Sequence, residues 1–420
     1  MPSLTTIPLE ILIEISSLLK TTNDFGALRL TCKYIEASLF KTFARRYFNN
    51  ISFCRVEHNL RAFVNISKSR LSPYLKYVAI NSEPIPFLSI PDIDTSDIEE
   101  IASNARFYQQ CANQMVFLNT GQDQLMLTEA FCNLSHLEQV IIRGPQDHPY
   151  FQDDSTLTTY VWQENIDRMS NASCLQNVLC ALAKSGTKLK QLKIEIGYSM
   201  NDDAYNMPGF MEEAILPVLV NLEALDLRHP DLDEPAVVCL KGQKLHKIYT
   251  YYLRKFLLRA TQIKHLCLVG TDGHSDLWEW LSDPVSNEQY DGPRGLEPPI
   301  SPTFMNLYEL TLKDCLIPIP PNHLLTIIQK FSATMRELCL YRISLEIDNL
   351  DEWVGFAAQL ARVGRHLKKI SLEHVFLDAR VDQVVGFNSS GERKCVYYYA
   401  GDKMDEVLEG LVDVIFIKRR

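Results

Sequence analysis

Three short runs of hydrophobic residues at helical spacing open the chain. The positions of the first run are Ile11, Leu12, Ile15, Leu18 and Leu19, those of the second are Phe25, Leu28 and Cys32, and those of the third are Ile35, Leu39 and Phe43. Such spacings predict three amphipathic helices. Pro8 suits the first helical position, where its missing N–H is not needed, and Thr22 or Asn23 suits the cap of the second helix. Helices this short bury little among themselves, so we expect this module to pack on a partner or on the rest of the chain.

Beyond residue 70 the pattern changes to a template, LxxLxL, in which apolar residues follow the first one at three and five positions. Eight good copies begin at Leu75, Leu137, Leu189, Leu222, Ile263, Leu307, Met335 and Leu367. One such hexapeptide arises easily by chance in a leucine-rich chain, but eight do not. A ninth, weaker copy begins at Leu245 and has Thr250 at its third apolar site. Each copy predicts a short β-strand.

Amphipathic helical stretches lie between the copies, at residues 175–184, 211–220, 323–331 and 353–363. A longer one at 97–119, with a capping box at Ser96 and Glu99, has on one face Ile98, Ile101, Ala105, Tyr108, Ala112 and Met115. Strand followed by helix predicts an α/β fold, an irregular leucine-rich-repeat solenoid with parallel strands on its concave face and helices on its convex face. Residues 144–155, 198–209 and 282–302 are predicted to be inserted loops. We expect a helical module at residues 1–48 and a repeat domain at 49–420.

Residues that alternate with the buried positions of the template are predicted to point to the concave face. They are Tyr77, Gln139, Arg143, Lys193, Asp226, Arg228, Lys247, Tyr249, Tyr251, His265, Lys313, Glu337, Tyr341 and Lys369. Tyrosine and arginine are the residue types that most often anchor protein interfaces. The first candidates for binding a protein substrate are therefore Arg143, Arg228, Tyr249, Tyr251 and Tyr341. The alternative for each single residue is a merely solvated strand position, because under about a third of interface residues matter energetically.

Composition narrows the class of protein. With 42 basic and 52 acidic residues, the net charge is −10, which argues against a nucleic-acid-binding protein with a broad phosphate-attracting surface. The eleven cysteines are scattered without a CxxC pair, as expected of reduced, buried thiols. Neither a signal peptide nor an apolar run of bilayer-spanning length is recognisable, so we expect a cytoplasmic or nuclear location and no membrane contact.

Two acidic stretches have some features of metal-binding loops. In "PDIDTSDIEE", Asp92 fits a calcium loop, but Asp97 stands where glycine is needed, and helix capping explains the run better. "GTDGHSD" places Asp272, His274 and Asp276 together after a strand, so a metal-dependent enzyme is an alternative to a simple polar loop. Motifs of nucleotide-binding proteins, serine hydrolases and zinc proteases are absent from the sequence. The sequence therefore predicts a protein without catalytic activity, metal or cofactor of its own.

The opening stretch "IPLEILIEISSLLKTTNDFGALRLTCKYI", residues 7–35, resembles an F-box, the adaptor-binding module of SCF-type cullin-RING ubiquitin ligases. The resemblance lies in Ile7-Pro8, in Glu10-Ile11-Leu12, in Asp24, and in "LRLTCK" at residues 28–33. Ile7 stands where the family usually has leucine, and the tryptophan that commonly follows the Cys-Lys pair is absent, with Tyr34 the nearest aromatic residue. The rest of the chain is similar to the leucine-rich-repeat arm of many fungal F-box proteins.

This resemblance implies a receptor subunit that holds a protein substrate for a ubiquitin ligase. The module would dock on a Skp-family adaptor, and through it on a cullin, by way of Pro8, Leu9, Ile11, Leu12, Ile15, Leu28 and Cys32. The repeat surface would bind the substrate, and ubiquitin transfer by other subunits would follow from proximity. The alternative is an interaction scaffold that uses the repeat surface without any ligase. This alternative would follow if the missing tryptophan, with only Tyr34 nearby, weakens docking on the adaptor.

Overall fold

The computed structural model describes residues 7–19, 21–82, 98–144, 160–196, 202–207, 209–228, 236–238, 246–248, 251–270, 275–283, 302, 304–315, 318–347, 349–377, 383–389, 392–394, 396–401, 404, 406–408 and 415–419. Within these residues the fold is α/β. Three helices precede a ten-stranded, mostly parallel open sheet, and further helices cover one face of that sheet. This arrangement is compatible with a solenoid.

The helices confirm the amphipathic stretches of the sequence. They are α1 (Leu9–Ser17), α2 (Thr22–Leu30), α3 (Lys33–Tyr47), α4 (Glu57–Ser67), α5 (Ile98–Asn119), α6 (Gln122–Cys132), α7 (Tyr160–Ser185), α8 (Gly209–Val220), α9 (Tyr251–Arg259), α10 (Ser275–Ser282), α11 (Pro321–Lys330) and α12 (Leu350–Val363). The long predicted helix is α5, and the four shorter stretches lie in α7, α8, α11 and α12. Among the described residues, no helix has both the length and the apolar character that crossing a bilayer requires.

The first three helices enclose a small hydrophobic core of their own. Leu12 of α1, Phe25 of α2, and Ile35 and Leu39 of α3 are fully buried in it. The ring of Phe25 also contacts that of Tyr47, with the two centroids 5.8 Å apart. This core is separate from the one that fills the rest of the molecule.

The second helix begins slightly earlier than the sequence predicted. Its N-cap is Thr21, rather than Thr22 or Asn23. The Thr21 hydroxyl accepts a hydrogen bond from the Asp24 backbone N–H at 3.1 Å and donates one to the Asp24 carboxylate at 2.7 Å. The carboxylate in the first turn also complements the positive end of the helix dipole, so two local effects favour this start.

Within the described residues, seventeen strands build the sheets. They are β1 (Asn50–Cys54), β2 (Tyr77–Asn81), β3 (Gln139–Arg143), β4 (Gln191–Glu195), β5 (Ala224–Arg228), β6 (Ala236–Val238), β7 (His246–Ile248), β8 (His265–Val269), β9 (Glu309–Lys313), β10 (Glu337–Tyr341), β11 (Ser344–Leu345), β12 (Lys369–Glu373), β13 (Phe376–Leu377), β14 (Gln383–Ser389), β15 (Glu392–Lys394), β16 (Val396–Ala400) and β17 (Ile415–Arg419). The main sheet has the order β1-β2-β3-β4-β5-β8-β9-β10-β12-β16, in which β16 alone runs antiparallel to its neighbour. A smaller sheet joins β11, β13, β14 and β15, with β17 paired to β14.

All eight good copies of the template form strands of the main sheet, as predicted. The second and fourth residues of each are buried and pair in register with the same positions of the next strand, as Leu266 does with Leu310. Together with the apolar sides of the helices they form one continuous core. The first, third and fifth residues point the other way. We call the surface that these residues form the open face.

The ninth copy of the template does not belong to the main sheet. Its strand, β7, pairs antiparallel with β6 in a separate two-stranded sheet, so Lys247 is not on the open face as predicted. Tyr251 begins α9 instead of lying on a strand, because the residues after it have helical spacing, with Leu253 and Phe256 buried. The prediction for these two positions is therefore wrong, and Tyr249 lies outside the described residues.

A left-handed backbone turn follows four of the main strands. The residues in this conformation are Gly270 (φ 65°), Asp314 (φ 53°), Arg342 (φ 51°) and His374 (φ 51°). The turn extends the parallel ladder by one bond, since the Asp314 N–H donates to the Tyr341 carbonyl at 2.9 Å. After the turns at Asp314, Arg342 and His374, the next residue enters the core, where Cys315, Ile343 and Val375 are fully buried. These three units therefore continue beyond LxxLxL by one turn residue and one buried residue.

A buried ion pair couples the first strand to the helices. Arg55, directly after β1, and Asp123 of α6 are almost completely inaccessible, and Arg55 Nε lies 2.6 Å from Asp123 Oδ2. Arg55 also donates to the Ser173 hydroxyl at 2.9 Å, and the Asn177 amide donates to the Asp123 carboxylate at 2.9 Å. Both of these partners belong to α7. Their hydrogen bonds offset part of the cost of taking two charges out of water.

Candidate interaction surfaces

Helix α1 leaves large apolar side chains on the surface. Within it, Leu12 and Ser16 are buried. The exposed apolar residues of the helix and its C-cap are Leu9, Ile11, Ile13, Ile15 and Leu18. By helical geometry, Leu9 and Ile13 lie on one flank of the buried stripe and the other three on the opposite flank. Grouped apolar exposure of this kind is typical of surfaces that a partner molecule covers.

The structure separates the seven residues predicted to bind an adaptor into three groups. Pro8, Leu9, Ile11 and Ile15 are exposed, Leu28 and Cys32 are half-buried against the small core, and Leu12 is fully buried. Leu12 therefore stabilises the module and is not a surface contact, contrary to the prediction. The sequence prediction omitted Ile13 and also Leu30 of α2, which is 82% exposed. The sequence did contain a signal for the exposed residues of α1, because this helix has more apolar residues than one buried stripe can hold.

Contacts on the α3 side attach the module to the rest of the chain. The Glu36 carboxylate accepts a hydrogen bond from Arg29 at 3.0 Å and pairs with Arg70, which precedes β2. The hydrogen bond from Arg70 holds the pKa of Glu36 below its usual value, although burial opposes this. The Arg70 guanidinium also lies 4.0 Å from the ring centroid of Phe40, which in turn meets Tyr74 edge-on. Because α3 makes these contacts, the apolar residues of α1 stay exposed.

An ion-pair ladder crosses the amino-proximal half of the open face. Glu195 of β4 lies 2.8 Å from Arg143 Nε of β3 and 2.7 Å from Lys193 Nζ. Lys193 also pairs with Asp226 of β5 at 3.2 Å. Burial works against ionisation of Glu195, but the hydrogen bonds from Lys193 and Arg143 outweigh it and keep its pKa below the ordinary value. The four charges compensate one another within the face.

A hydrogen bond between His265 and Glu309 and one further ion pair lie in the other half of the open face. His265 Nδ1 of β8 is 3.0 Å from Glu309 Oε2 of β9, and the Thr311 hydroxyl donates to the other Glu309 oxygen at 3.1 Å. Lys369 of β12 lies 2.8 Å from Glu337 of β10, and this hydrogen bond raises the pKa of Lys369. Most charged groups of the face are therefore already paired with a neighbouring strand.

A concavity of about 250 Å³ opens in the middle of the face. The residues of its lining that bear on its chemistry are Ala224, Asp226, His265, Cys267, Thr311 and Lys313. Burial raises the pKa of the Cys267 thiol to about 12, and the charge of Asp226 acts in the same direction. The thiol therefore stays protonated at neutral pH and is a poor nucleophile.

Three of the five predicted substrate-binding residues lie on the open face. Arg143, Arg228 and Tyr341 are the fifth residues of β3, β5 and β10. Arg143 is engaged with Glu195, Arg228 is exposed and Tyr341 is half-buried. Of the two other candidates, Tyr251 begins α9 and does not lie on this face, and Tyr249 lies outside the described residues. The sequence prediction did not select the concavity, although small residues at the third strand position, such as Cys267, are visible in the aligned copies.

The acidic stretches that have features of metal loops lie mostly beyond the described residues. Asp92, Asp97, Asp272 and His274 are not described, and Asp276 lies in α10. Within the part of the chain that the structure describes, no group of three or more His, Cys, Asp and Glu side chains is placed to hold a metal ion. Comparison of the sequence with protein-family models and with curated proteins finds no match.

Proposed function

We propose that this chain is the substrate-recognition subunit of an SCF-type cullin-RING ubiquitin ligase. The observation that carries the proposal is the small three-helix module, which has its own core, is attached through α3 and leaves the apolar flanks of α1 uncovered. A surface of this kind suits docking on a second protein. The resemblance of residues 7–35 to an F-box favours a Skp-family adaptor as that protein.

In this proposal the two parts of the chain bind different partners. The module docks on the adaptor and through it on a cullin. The ten-stranded array acts as a leucine-rich-repeat solenoid, with the open face as its concave surface and the helices on its convex surface. The open face holds a protein substrate near the conjugating enzyme, so the chain contributes proximity and orientation, while other subunits supply the chemistry.

The burial pattern refines the residues that contact the adaptor. Leu9, Ile11 and Ile15 remain candidates, and the exposed side chains Ile13 and Leu18 join them. Leu12 acts indirectly, because its place in the small core holds α1 against α2 and α3. An adaptor that covers both flanks of α1 therefore contacts more of this helix than one apolar stripe.

The double variant Ile11→Asp/Ile15→Asp tests the adaptor contact. Placing two charges in an apolar interface is expected to cost about 2 kcal/mol or more of binding free energy, so association with a purified Skp-family adaptor falls at least about thirtyfold. Both residues are exposed, so the helical circular-dichroism signal is expected to stay unchanged. Isothermal titration calorimetry provides the affinity.

Two further variants control this experiment. Asn23→Asp adds a charge in the first turn of α2, where a carboxylate is tolerated, and should leave adaptor binding unchanged. Leu12→Asp places a charge in the small core and should unfold the module, which separates loss of structure from loss of contact. Wild-type adaptor affinity in the folded Ile11→Asp/Ile15→Asp variant would refute the proposal. Adaptor binding without recruitment of a cullin would instead favour the scaffold without a ligase.

A further inference from the structure

The concavity in the open face contains one ammonium group that is not paired with a carboxylate of the described residues. Its acidic and basic lining residues are Asp226, His265, Glu309 and Lys313. Asp226 pairs with Lys193 at 3.2 Å, and the Glu309 carboxylate is hydrogen-bonded to His265 at 3.0 Å and to Thr311 at 3.1 Å. Among the described residues, no carboxylate lies within ion-pair distance of the Lys313 ammonium. The concavity therefore has a single cation available for a ligand.

The strands beside Lys313 explain why it lacks a counter-charge. As the fifth residue of β9 it stands in register between Val269 of β8 and Tyr341 of β10, neither of which is acidic. The carboxylate of Asp314, the next residue in the chain, is held by Arg342 at 2.9 Å. One strand beyond Val269, the same position carries another cation, Arg228. At this strand position, neither neighbouring strand supplies an acidic residue to Lys313.

The rest of the concavity has room for a neighbouring small side chain. Its third-position residues on β8 and β9, Cys267 and Thr311, are short, and Ala224 adds a third small side chain to the lining. The larger side chains His265, Glu309 and Lys313 stand at the ends of β8 and β9. An extended peptide that places a small apolar residue here brings its adjacent side chain within reach of one edge of the concavity, where Lys313 is.

We propose that this concavity recognises an extended segment of the substrate by an anionic side chain, a carboxylate or a phosphate, which binds to Lys313. Tyr341, the neighbour of Lys313 in register, carries a phenol that supplies a second donor for the same anion. The inference rests on the proposed function, because it names the chemistry that the substrate receptor selects. Charge complementarity and the size of the concavity carry it.

Peptide libraries test this recognition on the full-length chain. The probes are nine-residue peptides with randomised flanks and one fixed central residue: glutamate, aspartate, phosphoserine, glutamine or lysine. We expect the anionic libraries to bind at least about tenfold better than the glutamine library, as charge-assisted hydrogen bonds do, and binding to weaken with added salt. Preference for phosphoserine alone assigns the anion to phosphorylation, and equal preference for glutamate assigns it to a carboxylate.

Variants at one position connect the preference to Lys313. Lys313→Glu should abolish binding of the anionic libraries and increase binding of the lysine library, whereas Lys313→Arg should keep the wild-type order. Lys188→Glu, at an exposed lysine in the loop between α7 and β4, is the matched control and should change nothing. Equal binding of all libraries to the wild type, or an anionic preference that survives in Lys313→Glu, would overturn the proposal.

Adaptor affinity measured on the same proteins distinguishes this inference from the proposed function. Lys313→Glu should bind the adaptor like the wild type, since Lys313 lies on β9 and the apolar docking residues lie on α1. If no variant binds the adaptor but the anionic preference depends on Lys313, the ligase role fails and the recognition site stands. If the adaptor binds and the libraries do not differ, the recognition site fails and the ligase role stands.

Discussion

Lys330, at the end of α11, is an amine whose surroundings alter its acidity. Its ammonium donates to the carbonyls of Leu281 and Asp283, both at 3.0 Å, at the carboxyl end of α10. Burial outweighs the charge of Asp283 and lowers the pKa of Lys330 from 10.5 to about 8. Between these two values the unfolded chain holds a proton that the folded chain has lost, so the free energy of unfolding rises with pH across this window.

Reactivity towards acetic anhydride checks the acidity of Lys330. Only the neutral amine reacts, so labelling of Lys330 should reach half its maximum near pH 8, about two units below an ordinary lysine. Quantitative mass spectrometry of the Lys330 peptide, with phenylalanine as internal standard, gives the midpoint. The Asp283→Asn variant removes a charge that favours the ammonium, and its midpoint should lie still lower. A midpoint above pH 10 would contradict this description of the site.

At the scale of the element, the sequence predicted well which segments form helices and strands, but it predicted poorly which face of each helix is buried. The long stripe assigned to α5 contains Ala105, Ala112 and Met115, yet these residues are exposed, whereas Cys111 and Phe117 of another stripe are buried. Helix α5 has two apolar stripes, and periodicity alone cannot choose between them. The same difficulty affected Leu12, because α1 is apolar on several sides. Strands were easier, since their alternation leaves only two faces.

The left-handed turns after the strands provide a prediction for this scale. A left-handed backbone costs a residue with a side chain about 1–2 kcal/mol, and β-branched residues tolerate it worst. His374→Val should therefore lower the free energy of unfolding by about 1 kcal/mol, whereas His374→Gly should leave it equal or higher. Urea denaturation followed by circular dichroism provides both values. Lys368→Val, at an exposed position just before β12, serves as the control.

At the equivalent turn after β8, the chain already has a glycine, so replacing it with a residue that has a side chain is expected to destabilise the protein. Gly270 has the same left-handed conformation after β8, so Gly270→Ala should destabilise the protein by about 1 kcal/mol. If His374→Val and the Lys368→Val control had equal effects, the turn would not be under conformational strain.

LxxLxL alone did not reveal this turn, because glycine, aspartate, arginine and histidine at one position show no common residue type.

On the scale of the whole molecule, the units of the array depend mainly on their neighbours. Each main strand pairs with the strands beside it, and the strand pairs far apart share no direct contact. The sequence predicted this organisation from eight copies of one template. The open-face concavity was harder to predict, because it depends on which side chains pair across strands, and the register of those pairs is a property of the folded sheet.

The buried pair of Arg55 and Asp123 tests how far a local defect spreads. Asp123→Ala leaves a buried guanidinium without its carboxylate and should cost about 3–5 kcal/mol. Hydrogen exchange should accelerate in β1, β2, α6 and α7 and stay slow in β9, β10 and β12. Glu57→Ala removes the exposed partner of Arg61 and should cost under about 1 kcal/mol. Uniform acceleration across the sheet would show that the array unfolds as a single unit.

The reversed strand β16 has a consequence for how the array can associate end to end and how its number of units can change in evolution. Because β16 runs opposite to β12, a second molecule cannot continue the sheet there by the parallel step that joins the other units. End-to-end association at this side would therefore need a strand pairing different from the parallel pairing inside the array. Duplication or deletion of a unit between β1 and β12 can lengthen or shorten the array and leave both ends unchanged. The number of recognition strands can therefore evolve separately from the helical module at the other end.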